Sequence, residues 1–146
     1  MRYLKIFIFI IVFSTHSYSA EVSGNTIRGK LSIREIVLFL NGEMILPKIE
    51  GDLSLSIERN LAYKGGNAIL LMNNSGGTAC PSGYIWLLVL PNSISQTPEF
   101  GTCSDLPEVY IKKGKLIVRL PSFVESRYVV YIFDGKRITE DGQELR

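Results

Sequence analysis

Histidine is nearly absent from this 146-residue sequence. The single histidine, His16, lies in an N-terminal segment that we expect to be removed, so the remaining domain would carry none. Without an imidazole, neither a Ser-His-Asp nor a Cys-His catalytic group can form within one chain. A zinc site with histidine ligands is excluded for the same reason. The sequence also contains no P-loop and no G-x-G-x-x-G motif, which argues against the common nucleotide-binding enzymes.

Cysteine is almost as scarce, with Cys80 and Cys103 as the only two. Two cysteines in an exported domain are more often paired than free, and their spacing is far from a C-x-x-C motif. We therefore predict a structural disulfide between them, which would also remove thiolate catalysis and thiolate metal ligation. On the chain-entropy estimate, closing this loop would stabilise the domain by roughly 3 kcal/mol.

An excess of positive charge is missing as well. The chain has 16 lysines and arginines against 14 aspartates and glutamates, but Arg2 and Lys5 belong to the N-terminal segment. The rest is formally neutral, which argues against nucleic-acid binding and against strong attraction to anionic lipid. The one basic cluster, Lys112, Lys113 and Lys115, is typical of a solvated hairpin tip.

The first 19 residues have the pattern of a secretory signal peptide. A basic start is followed by a continuous apolar run at residues 6–13, and Ser17 and Ser19 are small residues at the positions that precede a cleavage site. The apolar run is well short of the ~20 residues that a membrane-spanning helix needs. We expect cleavage after Ser19, no membrane anchor, and a bacterial protein that is periplasmic or secreted.

What the rest of the chain has in abundance is turn residues between brief apolar runs. This pattern is typical of many short strands, and short turns make neighbouring strands antiparallel. We predict a single domain over residues 20–146, an all-β antiparallel meander of nine or ten strands that forms a sandwich or a closed barrel. Residues 22–30 are expected to be a loose entry to the domain, and residues 140–146 to be frayed.

The strongest strands are predicted at residues 68–72 and 84–90, with Trp86 as a core residue. A weaker strand interrupted by Pro98 is placed at a sheet edge, because proline cannot donate to the ladder. The basic cluster at residues 112–115 is predicted to be the tip of a hairpin. Asp134-Gly135 is predicted to form a two-residue hairpin turn.

Residues 31–40 are ambiguous. Their apolar residues have helical spacing, and Ser32 and Glu35 could form a capping box at a helix N-terminus. Residues 36–40 are nevertheless β-prone and lead directly into Asn41-Gly42, the strongest two-residue hairpin signal. We prefer a strand there, and the helix stays open as the alternative.

Two polar loops, residues 73–83 and 100–105, each carry one of the cysteines. Their glycines fit backbone turns, and Asp105 fits a cap on the turn after Cys103. Loops on a rigid β scaffold commonly carry recognition. The candidate binding surface consists of polar side chains of these loops: Asn74, Thr78, Ser82, Thr102, Ser104 and Asp105.

Carboxylates are the catalytic groups that remain. Glu99, Asp105 and Glu108 lie near the second cysteine, and glycoside hydrolysis needs two carboxylates across a cleft. Oxygen atoms of Asn73, Asn74, Asp105 and Glu108 would suit calcium, but their spacing matches no calcium loop. We therefore expect no catalytic residues, no metal site and no cofactor.

Three motifs give the chain a resemblance to a known group: GGTACP at residues 76–81, FGTCSD at residues 100–105 and FDGK at residues 133–136. Over residues 38–140 the sequence resembles a group of small exported bacterial proteins with GG-x-x-CP, FGTCSD and aromatic-DGK motifs. The resemblance supports the order of these turns and the cysteine pairing, and it implies no activity. A looser similarity, at the level of the fold, is to periplasmic lysozyme inhibitors.

Export, small size, the missing histidine and two joined polar loops together favour a non-catalytic periplasmic binding domain. Its more specific form is an inhibitor or immunity protein against a cell-wall-active enzyme, with that enzyme or another envelope protein as its partner. The alternative is a structural or accessory envelope protein without a dedicated site.

Overall fold

The computed structural model describes residues 22–146, and all regular structure in this part of the chain is β. Its thirteen strands are antiparallel, which confirms the all-β prediction with more strands than expected. The predicted signal peptide, residues 1–19, lies outside the described residues. No helix of the described part is long and apolar enough to cross a membrane.

Three meanders follow one another along the chain, and each forms one sheet. Sheet A contains β1 (Val22–Thr26), β2 (Gly29–Arg34), β3 (Val37–Leu40) and β4 (Glu43–Met44). Sheet B contains β5 (Ser54–Tyr63), β6 (Gly66–Asn74), β7 (Ser82–Leu90) and β8 (Ser93–Gln96). Sheet C contains β9 (Glu108–Lys112), β10 (Lys115–Pro121), β11 (Tyr128–Phe133), β12 (Ile138–Glu140) and β13 (Gln143–Glu144).

Sheet B lies between the other two sheets, because its central strands are apolar on both faces. Along β6, Ala68 and Leu70 belong to a core shared with sheet C, whereas Ile69 and Leu71 belong to a core shared with sheet A. All four side chains are fully buried, and so is Trp86 in the core shared with sheet C. The fold is thus a sandwich and not a closed barrel. It has a third layer beyond the two predicted sheets, because uninterrupted apolar strands need cover on both faces.

The predicted turns are confirmed except for one. Asn41 and Gly42 have φ values of 53° and 84°, the left-handed conformation that a two-residue hairpin turn requires. The turn predicted at Asp134-Gly135 is longer, because the Asp134 Oδ1 atom accepts hydrogen bonds from the amides of Lys136 and Arg137, each at 2.8 Å. These hydrogen bonds hold the pKa of the Asp134 carboxyl below its usual range.

Three segments differ from their prediction. Residues 22–30 are not a loose entry but belong to the β1–β2 hairpin, whose outer strand accepts a hydrogen bond from the Asn60 side-chain amide of sheet B. Residues 31–40 are neither a helix nor one strand, because Glu35 adopts a φ of 56° and turns β2 back into β3. Residues 140–146 are not frayed, since a last hairpin there packs Leu145 against the core between sheets B and C.

Candidate functional site

Four loops meet at one end of the sandwich, which we call the loop end: residues 51–53, 75–81, 97–107 and 122–127. The hairpin tips of β5–β6, β7–β8 and β9–β10 lie at the opposite end of the strands. Contacts between distant parts of the sequence join the four loops. A Cβ atom on Gly76 would approach Leu53 to 2.7 Å, and the Thr102 hydroxyl donates to the Pro121 carbonyl at 2.6 Å.

The predicted disulfide is the strongest of these links. Cys80 and Cys103 are bonded, with their Cα atoms 4.5 Å apart, so the β6–β7 loop is fixed to the segment that leads to sheet C. Next to it, the backbone of Tyr84 pairs with that of Phe100 through hydrogen bonds of 2.7 and 2.9 Å. The Tyr84 hydroxyl then donates to the Ser104 carbonyl at 2.9 Å. The second cysteine loop is therefore attached to β7 on both sides of Cys103.

The surroundings of the Tyr84 phenol favour its protonated form, which donates the hydrogen bond to Ser104. Burial, and then the nearby carboxylates of Glu58 and Asp105, raise its pKa far above the ordinary value of a tyrosine. Deprotonation would leave a buried negative charge next to two others. The raised pKa keeps the phenol protonated, so it can donate its hydrogen bond to the Ser104 carbonyl.

The polar side chains predicted to form the binding surface are divided by the structure. Ser82 is buried, so it contributes nothing to a surface. The hydroxyl of Thr102 is used in its bond to Pro121, and the Oδ1 atom of Asn74 accepts from the Gly76 amide at 2.8 Å.

Thr78 and Asp105 are exposed, and they are the predicted residues whose side chains face solvent most fully. The cap predicted for Asp105 is wrong, because the Ser104 hydroxyl accepts the Leu106 amide at 3.2 Å in that turn. A Ser hydroxyl and an Asp carboxylate compete for the same role in such turns. The Asp105 carboxylate does not take part in this hydrogen bond and is exposed to solvent.

An arrangement that the sequence analysis missed lies beside the disulfide. The Asn73 side chain is only 5% exposed, and its Nδ2 atom donates to Asp52 Oδ2 and Glu99 Oε2, each at 3.0 Å. Its Oδ1 atom accepts the Asp52 amide at 2.8 Å. Glu99 lies across Gly83, where a Cβ atom would be 2.1 Å from Glu99 Oε1. One buried amide therefore holds two carboxylates at the rim of the loop end.

The charged side chains around the two cysteine loops are all acidic, and Arg127 of the 122–127 loop is paired with Glu125 and Asp141. No lysine, arginine or histidine occurs between Lys64 and Lys112, so neither cysteine loop carries a base. Within the described part of the chain, Asp52, Glu99 and Asp105 take part in none of the ion pairs. The same part contains no cluster of three or more acidic, histidine or cysteine side chains suited to a metal ion. The long stretch without basic residues is visible in the sequence, and it would have allowed the acidic side chains around the cysteine loops to be predicted as one surface.

Apolar side chains are exposed on the same loops. Leu53, Leu106, Phe123 and Val124 have between 59% and 88% of their surface exposed. Isolated apolar residues are normal on a protein surface, but these four belong to three of the four loops that meet here. Large exposed apolar side chains with polar surroundings are typical of protein-binding surfaces.

No family model, curated protein or solved structure matches the chain. The resemblance to small exported bacterial proteins, and the similarity to lysozyme inhibitors, therefore stay predictions.

Proposed function

We propose that the protein is a non-catalytic binding domain of the bacterial cell envelope, and that it binds a protein partner through the loop end. The observation that carries this proposal is the group of exposed apolar side chains on loops that a disulfide and buried hydrogen bonds hold in place. A preorganised loop surface loses little conformational freedom on binding, so little of the free energy of its contacts is spent on ordering the loops.

Several features support binding over catalysis. The two carboxylates at Asn73 are exposed and share one amide, so they line an open rim and not a closed cleft. The described domain carries no histidine, and both cysteines are bonded to each other. Its disulfide suits an oxidising compartment such as the periplasm or the exterior of the cell. Within this proposal, the specific form is an inhibitor or immunity protein against a cell-wall-active enzyme.

Position-specific crosslinking in the intact cell envelope tests this proposal. A photoreactive amino acid is placed at Leu106 or Phe123 in the full chain, and at Leu46 as a matched control. Leu46 is 76% exposed and lies in the cleft with Arg28 and Ile94 at the opposite end of the sandwich. We expect one discrete adduct from each loop-end position and none from position 46.

The identified partner is then used to measure affinity. Replacing Leu106 or Phe123 with serine should weaken binding by about tenfold or more for a residue at the centre of an interface, whereas Leu46→Ser should leave it unchanged. Circular dichroism and the melting temperature establish that each variant is folded. Equal adducts from all three positions, or none, would contradict the proposal and favour an accessory envelope protein without a dedicated site.

A further inference from the structure

Strand β9 is one of the two outer strands of sheet C, and its edge is open along the middle of the strand, because Pro107 and Lys112 protect only its two ends. Tyr110 and Ile111 are 40% and 44% exposed. Among the described strands, the other outer strands have the usual protections: β4 and β13 are two residues long, β8 is short and polar, and β5 has a register shift after Ile57. The fifth, β1, is polar, and its Asn25 carbonyl accepts a hydrogen bond from a side chain of sheet B. Natural sheets protect their edges in such ways because an open edge pairs with other strands.

The pattern of hydrogen bonds in sheet C determines which groups of β9 are open. The Val130 carbonyl accepts the Asp141 amide at 2.9 Å, so Val130 is bonded toward β12. In antiparallel strands successive residues bond to opposite sides. When this alternation is applied to the paired residues of β11, β10 and β9, the N–H and C=O groups of Tyr110 point toward β10. Val109 and Ile111 are left with their N–H and C=O groups directed away from the sheet.

We propose that two copies of this chain pair antiparallel along β9, about a two-fold axis at Tyr110. In this register the open backbone groups of Val109 in one copy meet those of Ile111 in the other, and each group finds a partner. Tyr110 lies opposite its own equivalent in a non-hydrogen-bonded pair, where side chains approach most closely. The two sheets C become one continuous sheet. Pro107 has no amide hydrogen, so the new ladder ends at the beginning of β9.

Charge favours this register over its neighbours. Glu108 and Lys112 lie on the same face of β9, and the pairing places Glu108 of each copy opposite Lys112 of the other. Glu108 already bonds Arg119 at 2.8 Å within its own sheet, but its side chain is still about half exposed, and Lys112 takes part in no ion pair of the described residues. Centring the axis on residue 108 or residue 112 instead would oppose like charges, which destabilises a sheet.

A charge exchange tests the register. Lys112→Glu alone opposes two carboxylates, and Glu108→Lys alone opposes two ammonium groups, so each purified variant should dimerise about tenfold more weakly than the wild type or not at all. An equimolar mixture of the two should recover dimers, because both cross-strand pairs are again of opposite sign. Sedimentation velocity over a range of concentrations to millimolar measures this. Lys136→Glu is the matched control, since its exposed side chain lies in the β11–β12 loop, away from the edge.

A proline substitution tests the backbone contacts. Ile111→Pro removes an amide hydrogen that the β9–β10 ladder does not use, so the variant should fold and be monomeric. Ile111→Ala keeps that amide and should retain dimers. A wild type that is monomeric at every concentration overturns the proposal. It is also overturned if the Ile111→Pro variant is folded and dimerises like the wild type, or if mixing the two charge variants recovers no dimer. None of these results bears on partner binding at the loop end.

Discussion

At the scale of single residues, neighbours in sequence serve different physical purposes, as Gly65 and Gly66 show. Gly65 has a φ of 76°, and a Cβ atom there would meet nothing within 4 Å. Gly66 has no positive φ, but its Cβ would lie 2.3 Å from the Val89 carbonyl oxygen of the adjacent strand. The first glycine is needed for its backbone conformation, and the second because β7 passes too close.

Alanine substitutions at these two positions distinguish the free-energy cost of an unfavourable backbone conformation from the cost of a steric clash. Gly65→Ala should lower the free energy of unfolding by about 1 kcal/mol, because an L-residue is disfavoured in the left-handed region. Gly66→Ala should cost clearly more, since the backbone of β7 must move. Urea denaturation of both variants measures the difference, and an equal cost or the reverse order would contradict this account.

Residues also show what local sequence can and cannot predict. The Asn41-Gly42 turn and the burial of Trp86 follow from a dipeptide and from a short apolar run, so both could be predicted and both are confirmed. The joining of Asp52 and Glu99 by Asn73 could not be predicted, because the three residues come together only when the loop before β5, strand β6 and the loop after β8 meet. Sequence patterns report on neighbours along the chain, and this contact is between neighbours in space.

At the scale of elements, the conformation of a turn is determined by residues that are adjacent in sequence, whereas that of the long loops depends on contacts between distant segments. The hairpins were predictable because each is closed by its own residues. The loop end was only partly predictable: its disulfide follows from counting cysteines, but the exposure of Leu106 and the burial of Ser82 depend on how sheets B and C pack. Polar composition alone led us to predict a surface on which three of the four hydroxyls, those of Ser82, Thr102 and Ser104, are buried or hydrogen-bonded within the domain.

The disulfide is the element-scale contact with the clearest consequence. Replacing both cysteines with serine should lower the free energy of unfolding by roughly 3 kcal/mol, the chain-entropy value for a loop of this size. Chemical denaturation of this variant, and of the wild type under reducing conditions, should give the same decrease. An unchanged free energy of unfolding in the double-serine variant would contradict this account.

At the scale of the whole molecule, sheet B makes the three layers one unit. Leu70 and Leu71 are adjacent in β6 and fully buried, yet they belong to different cores. Neither outer sheet has another layer to pack against in the described structure, so loss of one core leaves the central sheet with an exposed apolar face. We infer that the two cores stabilise each other through the sheet that they share.

Substitutions on the two faces of β6 test this cooperativity. Leu70→Ala and Leu71→Ala should each lower the free energy of unfolding by about 2–5 kcal/mol through lost burial and a cavity. Trp86 reports only on the core between sheets B and C, so its fluorescence should follow far-UV circular dichroism in a single transition in both variants. A Leu71→Ala variant in which the two signals separate would show that sheet A unfolds on its own.

The arrangement of one uninterrupted chain segment per sheet has a kinetic consequence. In most β-sandwiches strands that are distant in sequence must find each other, and that search makes folding slow. Here every strand pairs with its immediate predecessor or successor, so the contact order is low for an all-β protein. We expect its folding rate to approach that of mixed α/β domains of the same length.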